Sequence, residues 1–316
     1  MLSASNLIST FKNVSGVAHA SPATWLRVTG ADATSFLQGQ CTQELRNLKP
    51  GQASWALWLN LKGRVQAESL LLRSENDTWW LWNAHGRGES LQTRLEDFII
   101  ADDVTVENIG ATCAWTQVTL AGPEATAWIL SQRGSLPPVG TWVALGDGIL
   151  FAGRRGQVEI WDWLRPSSST SPTLPVELGK LDHDALARAR IAAGVPAIPL
   201  EFGPLDLPQE AGLEDVAISF TKGCYLGQEI MARLHAMGQV RRRLLRVTGL
   251  GSAPNAGTVV TAKSTRKRIG EIRVAVGDGH GNWIGLAMVT LLGLGETEHF
   301  TLENEHGRTV QLFDTH

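Results

Sequence analysis

Residues 222–229 read Lys222-Gly223-Cys224-Tyr225-Leu226-Gly227-Gln228-Glu229. They lie between an apolar stretch, Val216-Ala217-Ile218-Ser219-Phe220, that reads as a strand, and a helical stretch over about 228–237. A cysteine in the turn that opens a helix feels the positive end of the helix dipole, and Lys222 adds a cation two residues away. Both favour the thiolate, the form of sulfur that attacks or binds metal. Gly223 and Gly227 permit positive φ and the close approach of a partner, and the chain's only tyrosine, Tyr225, is in the same run. Cys224 and Lys222 are therefore the expected working pair. Cys41 and Cys113 have no such setting and read as small buried apolar residues.

Downstream, short alternating runs at 244–248, 258–262, 269–276, 283–289, 299–303 and 309–313 are broken by Gly, Asn and Asp, the pattern of a small antiparallel barrel. A boundary near 240 divides the chain into a body, 1–240, and a C-terminal β-barrel, 241–316. Upstream, strands are expected at 25–29, 53–59, 65–73 and 78–83, with helices at 33–38 and 89–99. A second set follows, with strands at 104–108, 115–120, 149–152 and 157–161 and a helix at 123–133 that opens with Pro123. The repeated strand–helix–strand order suggests a pseudo-duplicated α+β body, although the halves share no visible identity. Pro166 to Pro175 (PSSSTSPTLP) reads as a solvated connector, and a further helix spans 182–193.

Length and composition bound the rest. At 316 residues the chain is long enough for about two domains. With 43% apolar residues and a formal charge of −3 it is not globally disordered. No run approaches the ~18 apolar residues of a membrane span, and the N-terminus lacks the apolar core of a secretory signal. Three cysteines without a Cys-x-x-Cys pair argue against a disulfide framework, so a cytoplasmic location is expected. Twelve tryptophans stand out, five of them at 55, 58, 79, 80 and 82. They suit either core packing or a stacking surface for a flat heteroaromatic ligand, and composition does not choose.

The run KGCYLGQE resembles the K-G-C-[YF]-x-G-Q-E signature of the YgfZ branch of the GcvT family, the folate-binding family that also includes the glycine-cleavage aminomethyltransferase (T-protein). Supporting matches are Thr29-Gly30-Ala31-Asp32, Ser35 to Gln40, Lys62-Gly63-Arg64, Asp102-Asp103-Val104, Ala193-Gly194-Val195-Pro196 and Pro208-Gln209-Glu210, so the resemblance spans nearly the whole chain. It implies an α+β, aminomethyltransferase-like folate-binding body followed by a barrel. It also implies an accessory factor that supports assembly or repair of iron–sulfur proteins and, through them, tRNA modification. The implied cofactor is tetrahydrofolate or a related folate, and the implied partners are iron–sulfur assembly or client proteins. Cys224 would be the working residue, and could ligate a transient cluster shared with a partner. Trp25, Glu210, Tyr225, Gln228 and Glu229 are the folate contacts the resemblance suggests. A Trp found in many members before the A-G-x-P stretch is replaced here by Leu186.

The alternative is a tetrahydrofolate-dependent aminomethyl transferase. In the T-protein the catalytic Asp stands seven residues beyond an Asn that ends a strand, and counting from Asn83 reaches Ser90. A hydroxyl cannot supply a carboxylate's charge, so the expectation is a non-enzymatic or weakly enzymatic factor. Gly249-x-Gly251 and Gly293-x-Gly295 lack the rest of a dinucleotide fingerprint and read as hairpin turns. The basic groups Arg241-Arg242-Arg243 and Lys263/Arg266-Lys267-Arg268 read as solvated strand edge, so direct tRNA binding is not expected.

Overall fold

The computed structural model describes residues 8, 11, 14–112, 114–155, 159–238, 240–291, 300–303 and 309–313. Cys113 and Gly293-x-Gly295 lie outside them. Two five-stranded antiparallel sheets form the body. The first contains β2 (Thr24–Thr29), β3 (Ala53–Leu59), β4 (Val65–Arg73), β5 (Trp79–Asn83) and β6 (Thr105–Asn108), in the order β3-β4-β5-β2-β6. The second contains β1 (Gly16–Ala20), β7 (Trp115–Ala121), β8 (Trp142–Leu145), β9 (Gly148–Ala152) and β10 (Ile160–Pro166), in the order β8-β9-β10-β7-β1.

Strand for strand the two orders coincide. A helix follows the equivalent strand in each half: α1 (Ala33–Gln40) after β2 and α3 (Pro123–Arg133) after β7. The duplication is topological, and it extends to the fifth position, which β6 fills in one sheet and β1, from the start of the chain, fills in the other. Two expectations shift. β1 and β8 had no counterpart in the sequence reading, and the strand expected at 157–161 is Ile160–Pro166. Asp162 interrupts the apolar pattern there, yet it is fully buried because Arg155 pairs with it.

Period-2 alternation explains the tryptophans. On β5, Trp79 and Leu81 face α1 and α2 (Gly88–Glu96) in one core, whereas Trp80 and Trp82 face the second sheet in another. Trp25 stacks on Trp80 with centroids 4.6 Å apart, and Trp82 meets Phe151 edge-on at 4.9 Å. Of the Trp-rich window, Trp55, Trp80 and Trp82 thus pack between the sheets, and Trp58 and Trp79 pack under the helices.

Residues 166–240 connect body to barrel. They include α4 (His183–Ala192), whose N-cap Asp182 accepts from Ala185 N, then irregular chain, a short α5 (Glu214–Ala217) and α6 (Gln228–Met237). The strand expected over 216–220 is absent: α5 ends at Ala217, and Ile218 and Ala217 are drawn into the central core instead.

The barrel is closed, in the order β11 (Arg242–Leu250), β14 (Asn282–Thr290), β13 (Arg268–Gly277), β12 (Val259–Ala262), β15 (Phe300–Leu302), β16 (Thr309–Phe313). Gly249 sits inside β11, and only Gly251 turns, at φ +89°. Leu244, Ile284, Leu286 and Met288 of the barrel join Leu57 and Leu59 of the body and Ile191 and Met231 of the connecting helices in one core. Arg242 is not a solvated edge: it reaches Glu210 at 2.9 Å and Asp206 at 3.2 Å, and Arg273 also reaches Asp206 at 3.2 Å. Among the described residues, no helix is long and apolar enough to cross a membrane.

The KGCYLGQE segment is held by backbone proximity to the turn between β3 and β4. Gly227 adopts φ +87°, and a Cβ there would stand 2.7 Å from the Asn60 carbonyl oxygen. Gly63, at φ +69°, sits under Ile230 and Met231, where a Cβ would meet side-chain atoms at 2.8 Å. Gly223 has no such duty: it is not among the positive-φ glycines, and a Cβ there meets nothing within 4 Å.

Two outcomes follow for denaturant unfolding. Gly227→Ala loses about 2–3 kcal/mol, because it combines left-handed strain with the carbonyl clash, while Gly223→Ala stays within about 0.5 kcal/mol of wild type. Arg242→Ala leaves the buried Glu210 carboxylate without its cation, while Arg273 still holds Asp206, and costs about 2–3 kcal/mol, below the ~3–5 kcal/mol of a fully buried pair because Arg242 is partly exposed. Arg268→Ala, which breaks only the exposed pair with Glu271, costs less than about 1 kcal/mol.

Candidate functional site

Two features adjoin: the exposed thiol of Cys224 and a cleft of about 740 Å³ lined by Leu226, two residues further on. Cys224 precedes the α6 N-cap, Gly227, by three residues and therefore lies before the first turn rather than in it. Lys222 is buried, and its ammonium donates to the carbonyls of Gln38 (2.7 Å), Cys41 (2.7 Å) and Gln43 (2.8 Å). An ammonium has three protons, and all three are engaged. Its expected role beside the Cys224 thiol is thus corrected: the charge clamps the loop to the end of α1. Burial lowers the Lys222 pKa and pushes the Cys41 thiol up.

The remaining residues of the run divide. Tyr225 is core, with the Lys222 ammonium 5.0 Å from its ring centroid and its phenol pushed up to about 12 by burial. Gln228 opens α6 and its backbone N–H donates to Tyr225 O, while Glu229 is exposed in the first turn. Neither Gln228, Glu229 nor Tyr225 lines the cleft; Leu226 does.

The cleft is bounded by β4 and β5, the 59–62 turn, α2 and Pro199-Leu200. Its volume falls inside the ~300–1,000 Å³ usual for small-molecule sites. Leu61 and Leu200 form an apolar mouth, 78% and 73% exposed, and Lys62 and Arg87 stand at the rim. Asn83 and Ser90, the positions reached by counting along the sequence, both line it. Asn83 Oδ1 accepts from the N–H groups of His85 (2.7 Å) and Gly86 (3.1 Å), and its amide donates to Glu68 O at 2.7 Å. Ser90 is exposed in the first turn of α2, so a hydroxyl occupies the place where the transferase reading needs a carboxylate.

Two charged side chains of the wall were not anticipated. Glu68, on β4, is 7% exposed in its side chain and accepts from Arg154 Nη2 at 2.9 Å; burial raises its pKa, against the pull of Arg154 and Arg190. Arg94, on α2, donates to Leu59 O at 3.0 Å and lies over Trp58 and Phe98, its pKa lowered to about 10 by burial. The sequence signal for Glu68 is a lone carboxylate followed by Ser69-Leu70-Leu71-Leu72 within a buried strand.

The two folate contacts suggested outside the signature are corrected by packing. Trp25 is fully buried between the sheets against Trp80 and Trp115 and does not reach the cleft. Glu210 is occupied by Arg242 and by the N–H of Leu207 (2.8 Å), at the seam between body and barrel. Leu186 is buried against Leu181 and Ile160, also away from the cleft. Among the described residues, no three His, Cys, Asp or Glu side chains converge as a metal site.

Comparison with known proteins fits this architecture. Residues 8–133 match the GCVT N-terminal domain, and residues 241–312 match the CAF17 C-terminal beta-barrel domain. The human mitochondrial iron-sulfur cluster assembly factor IBA57 is 32% identical over 287 residues, covering 84% of this chain and 75% of that protein. The tRNA-modifying protein YgfZ of Klebsiella pneumoniae (strain 342) is 27% identical over 257 residues, covering 79% and 77%. The crystal structure of glycine cleavage system aminomethyltransferase T from Bartonella henselae superposes with a TM-score of 0.78 at 17% identity, covering 98% of this chain and 87% of that one. That likeness shows the fold, an aminomethyltransferase-like α+β body with a closed barrel. By its sequence, its two matched domains and its fold, the chain belongs to the GcvT-related family that contains IBA57 and YgfZ.

Proposed function

We propose that this protein is a folate-binding accessory factor that supports assembly or repair of iron–sulfur proteins, and through them tRNA modification, with Cys224 as its working thiolate. One observation carries the reading: a single loop, clamped by Lys222, presents an exposed thiol and sends its next-but-one side chain, Leu226, into a ligand-sized cleft. The names of the relatives, an iron-sulfur cluster assembly factor and a tRNA-modifying protein, supply the process. Thiolate is a soft ligand suited to iron, and the open space above Gly223 lets a partner approach the sulfur.

In this reading the cluster is cargo. One exposed cysteine supplies one ligand, and the client or an assembly protein supplies the others. The residues of the cleft suit a reduced folate: an apolar mouth for the aromatic middle, Lys62 and Arg87 at the rim for its carboxylates, and a polar floor. An exposed thiol persists in a reducing compartment, which for this chain is the cytoplasm. The competing transferase reading is left with the Ser90 hydroxyl, and an assay for methylene-tetrahydrofolate from an aminomethyl donor is expected to give no product.

The test pairs binding with complementation. Tetrahydrofolate should titrate the wild-type protein saturably by calorimetry, and Cys224→Ala should bind it equally and melt within about 0.5 kcal/mol of wild type, as a surface substitution does. The same variant should fail to restore activity of a tRNA-thiolating iron–sulfur enzyme in cells lacking their own copy. A normally folded Cys224→Ala that complements fully would remove the thiolate from the account.

A further inference from the structure

A further depression, about 640 Å³, lies at the seam between body and barrel. Its lining is largely aliphatic: Leu207, Leu234 of α6 and Val240 are partly buried there, and Leu205 forms a lip that is 75% exposed. Among the described residues, no aromatic side chain lines it.

Cations frame this apolar strip, and their pairing is uneven. Arg242 is committed: its Nε and Nη2 hold the two oxygens of Glu210 at 2.9 Å each, so the carboxylate that lines the groove is already answered. Arg64 enters from the turn between β3 and β4, and its Nη1 donates to Leu205 O at 2.7 Å. Arg241 stands exposed on the barrel side. Among the described residues, no carboxylate pairs with Arg64 or with Arg241. One arginine of the body and one of the barrel thus present uncompensated charge on either side of leucine and valine. A guanidinium with donors to spare favours a planar carboxylate, which it holds by two parallel bonds.

We propose that this seam groove docks an extended segment of a partner protein that combines aliphatic side chains with Asp or Glu. The aliphatic side chains cover the strip, and the carboxylates meet Arg64 and Arg241. Other occupants match only half of the surface. Single-stranded nucleic acid joins phosphate contacts to base stacking, and the groove offers no aromatic platform. A small inorganic anion would use the arginines and leave the aliphatic strip in water.

The position gives the groove a use. Leu234 lies six residues beyond Gln228, about 9 Å along α6, and Cys224 stands just before that helix. A partner seated in the groove is therefore held on the helix that follows the exposed thiol. The β3–β4 turn separates groove from cleft, with Arg64 lining the one and Lys62 the other. The assignment stands independently of the folate reading.

The experiment is fluorescence anisotropy of the full chain with a short labelled peptide of alternating Leu and Glu, with its Leu/Gln and Ala/Glu counterparts, and with a single-stranded oligouridine of equal charge. Wild type should bind the Leu/Glu peptide saturably, at least tenfold more tightly than either counterpart, and less tightly as salt rises. Arg64→Gln combined with Arg241→Gln should lose at least tenfold, whereas Lys49→Gln, which removes an exposed cation that does not line the groove, should bind as wild type does. Arg241→Gln alone changes only an exposed side chain and should lose at least threefold, so it remains decisive should the double variant melt early. Unchanged affinity in Arg241→Gln, equal binding of the Leu/Gln peptide, or no saturable binding to wild type would overturn the assignment. Oligouridine binding tighter than the peptide, and lost in the same variants, would overturn it in favour of a phosphate-reading groove.

Discussion

A buried ammonium organises this molecule's functional face. Lys222 is taken out of water, which is tolerable only if its protons are all accepted. The acceptors are the carbonyls of Gln38, Cys41 and Gln43, at and just beyond the end of α1, where a helix has unbonded carbonyls and the negative end of its dipole. One side chain thereby caps α1 and fixes the loop that precedes α6. The loop cannot shift without stranding a charge, and Leu226 N bonding to Gly39 O reinforces it from the backbone. Cys224 stays exposed while Lys222 and Tyr225, which flank the exposed Gly223-Cys224 pair, turn inward.

The same loop is continuous with the cleft. Gly227 lies against Asn60 and Gly63 against Ile230 and Met231, so the β3–β4 turn that walls the cleft is also the surface on which the thiol loop is mounted. Cleft and thiol loop therefore share a wall. The duplicated second sheet contributes from behind: its tryptophan and phenylalanine packing closes the far face of the first sheet, and the segment after β9 sends Arg154 to Glu68. The barrel adds its apolar side chains to the central core and secures the seam through Arg242 and Arg273.

Much of this was readable before any coordinates. Strands Ala53–Leu59 and Val65–Arg73 and helix Pro123–Arg133 fall where alternation and an N-terminal proline place them. The barrel strands follow their Gly/Asn/Asp punctuation. What escaped depends on partners distant in sequence. Asp162 breaks an apolar pattern yet is buried, because Arg155 answers it. Lys222 looks like a neighbour of Cys224 along the chain, but its acceptors lie some 180 positions earlier. Glu210 reads as a loop carboxylate but is held by Arg242, while Glu68, a charged residue of the cleft wall, was hidden by the apolar strand around it. Trp25 illustrates the limit of composition: its nearest aromatic partners, Trp80 and Trp115, come from three different strands with it, a meeting no local pattern encodes.

The central claim is that ligand binding and the thiol loop share one wall of the molecule. Hydrogen exchange of the full chain, followed with and without saturating tetrahydrofolate, addresses it directly, since protection reports which amides the ligand steadies. The account predicts slowed exchange in 59–64, in 83–90 and at Leu226–Gln228, with the inter-sheet tryptophan strands unchanged. Protection centred on Trp25, Trp80 and Trp115, or protection of the cleft with no change across residues 222–228, would contradict it.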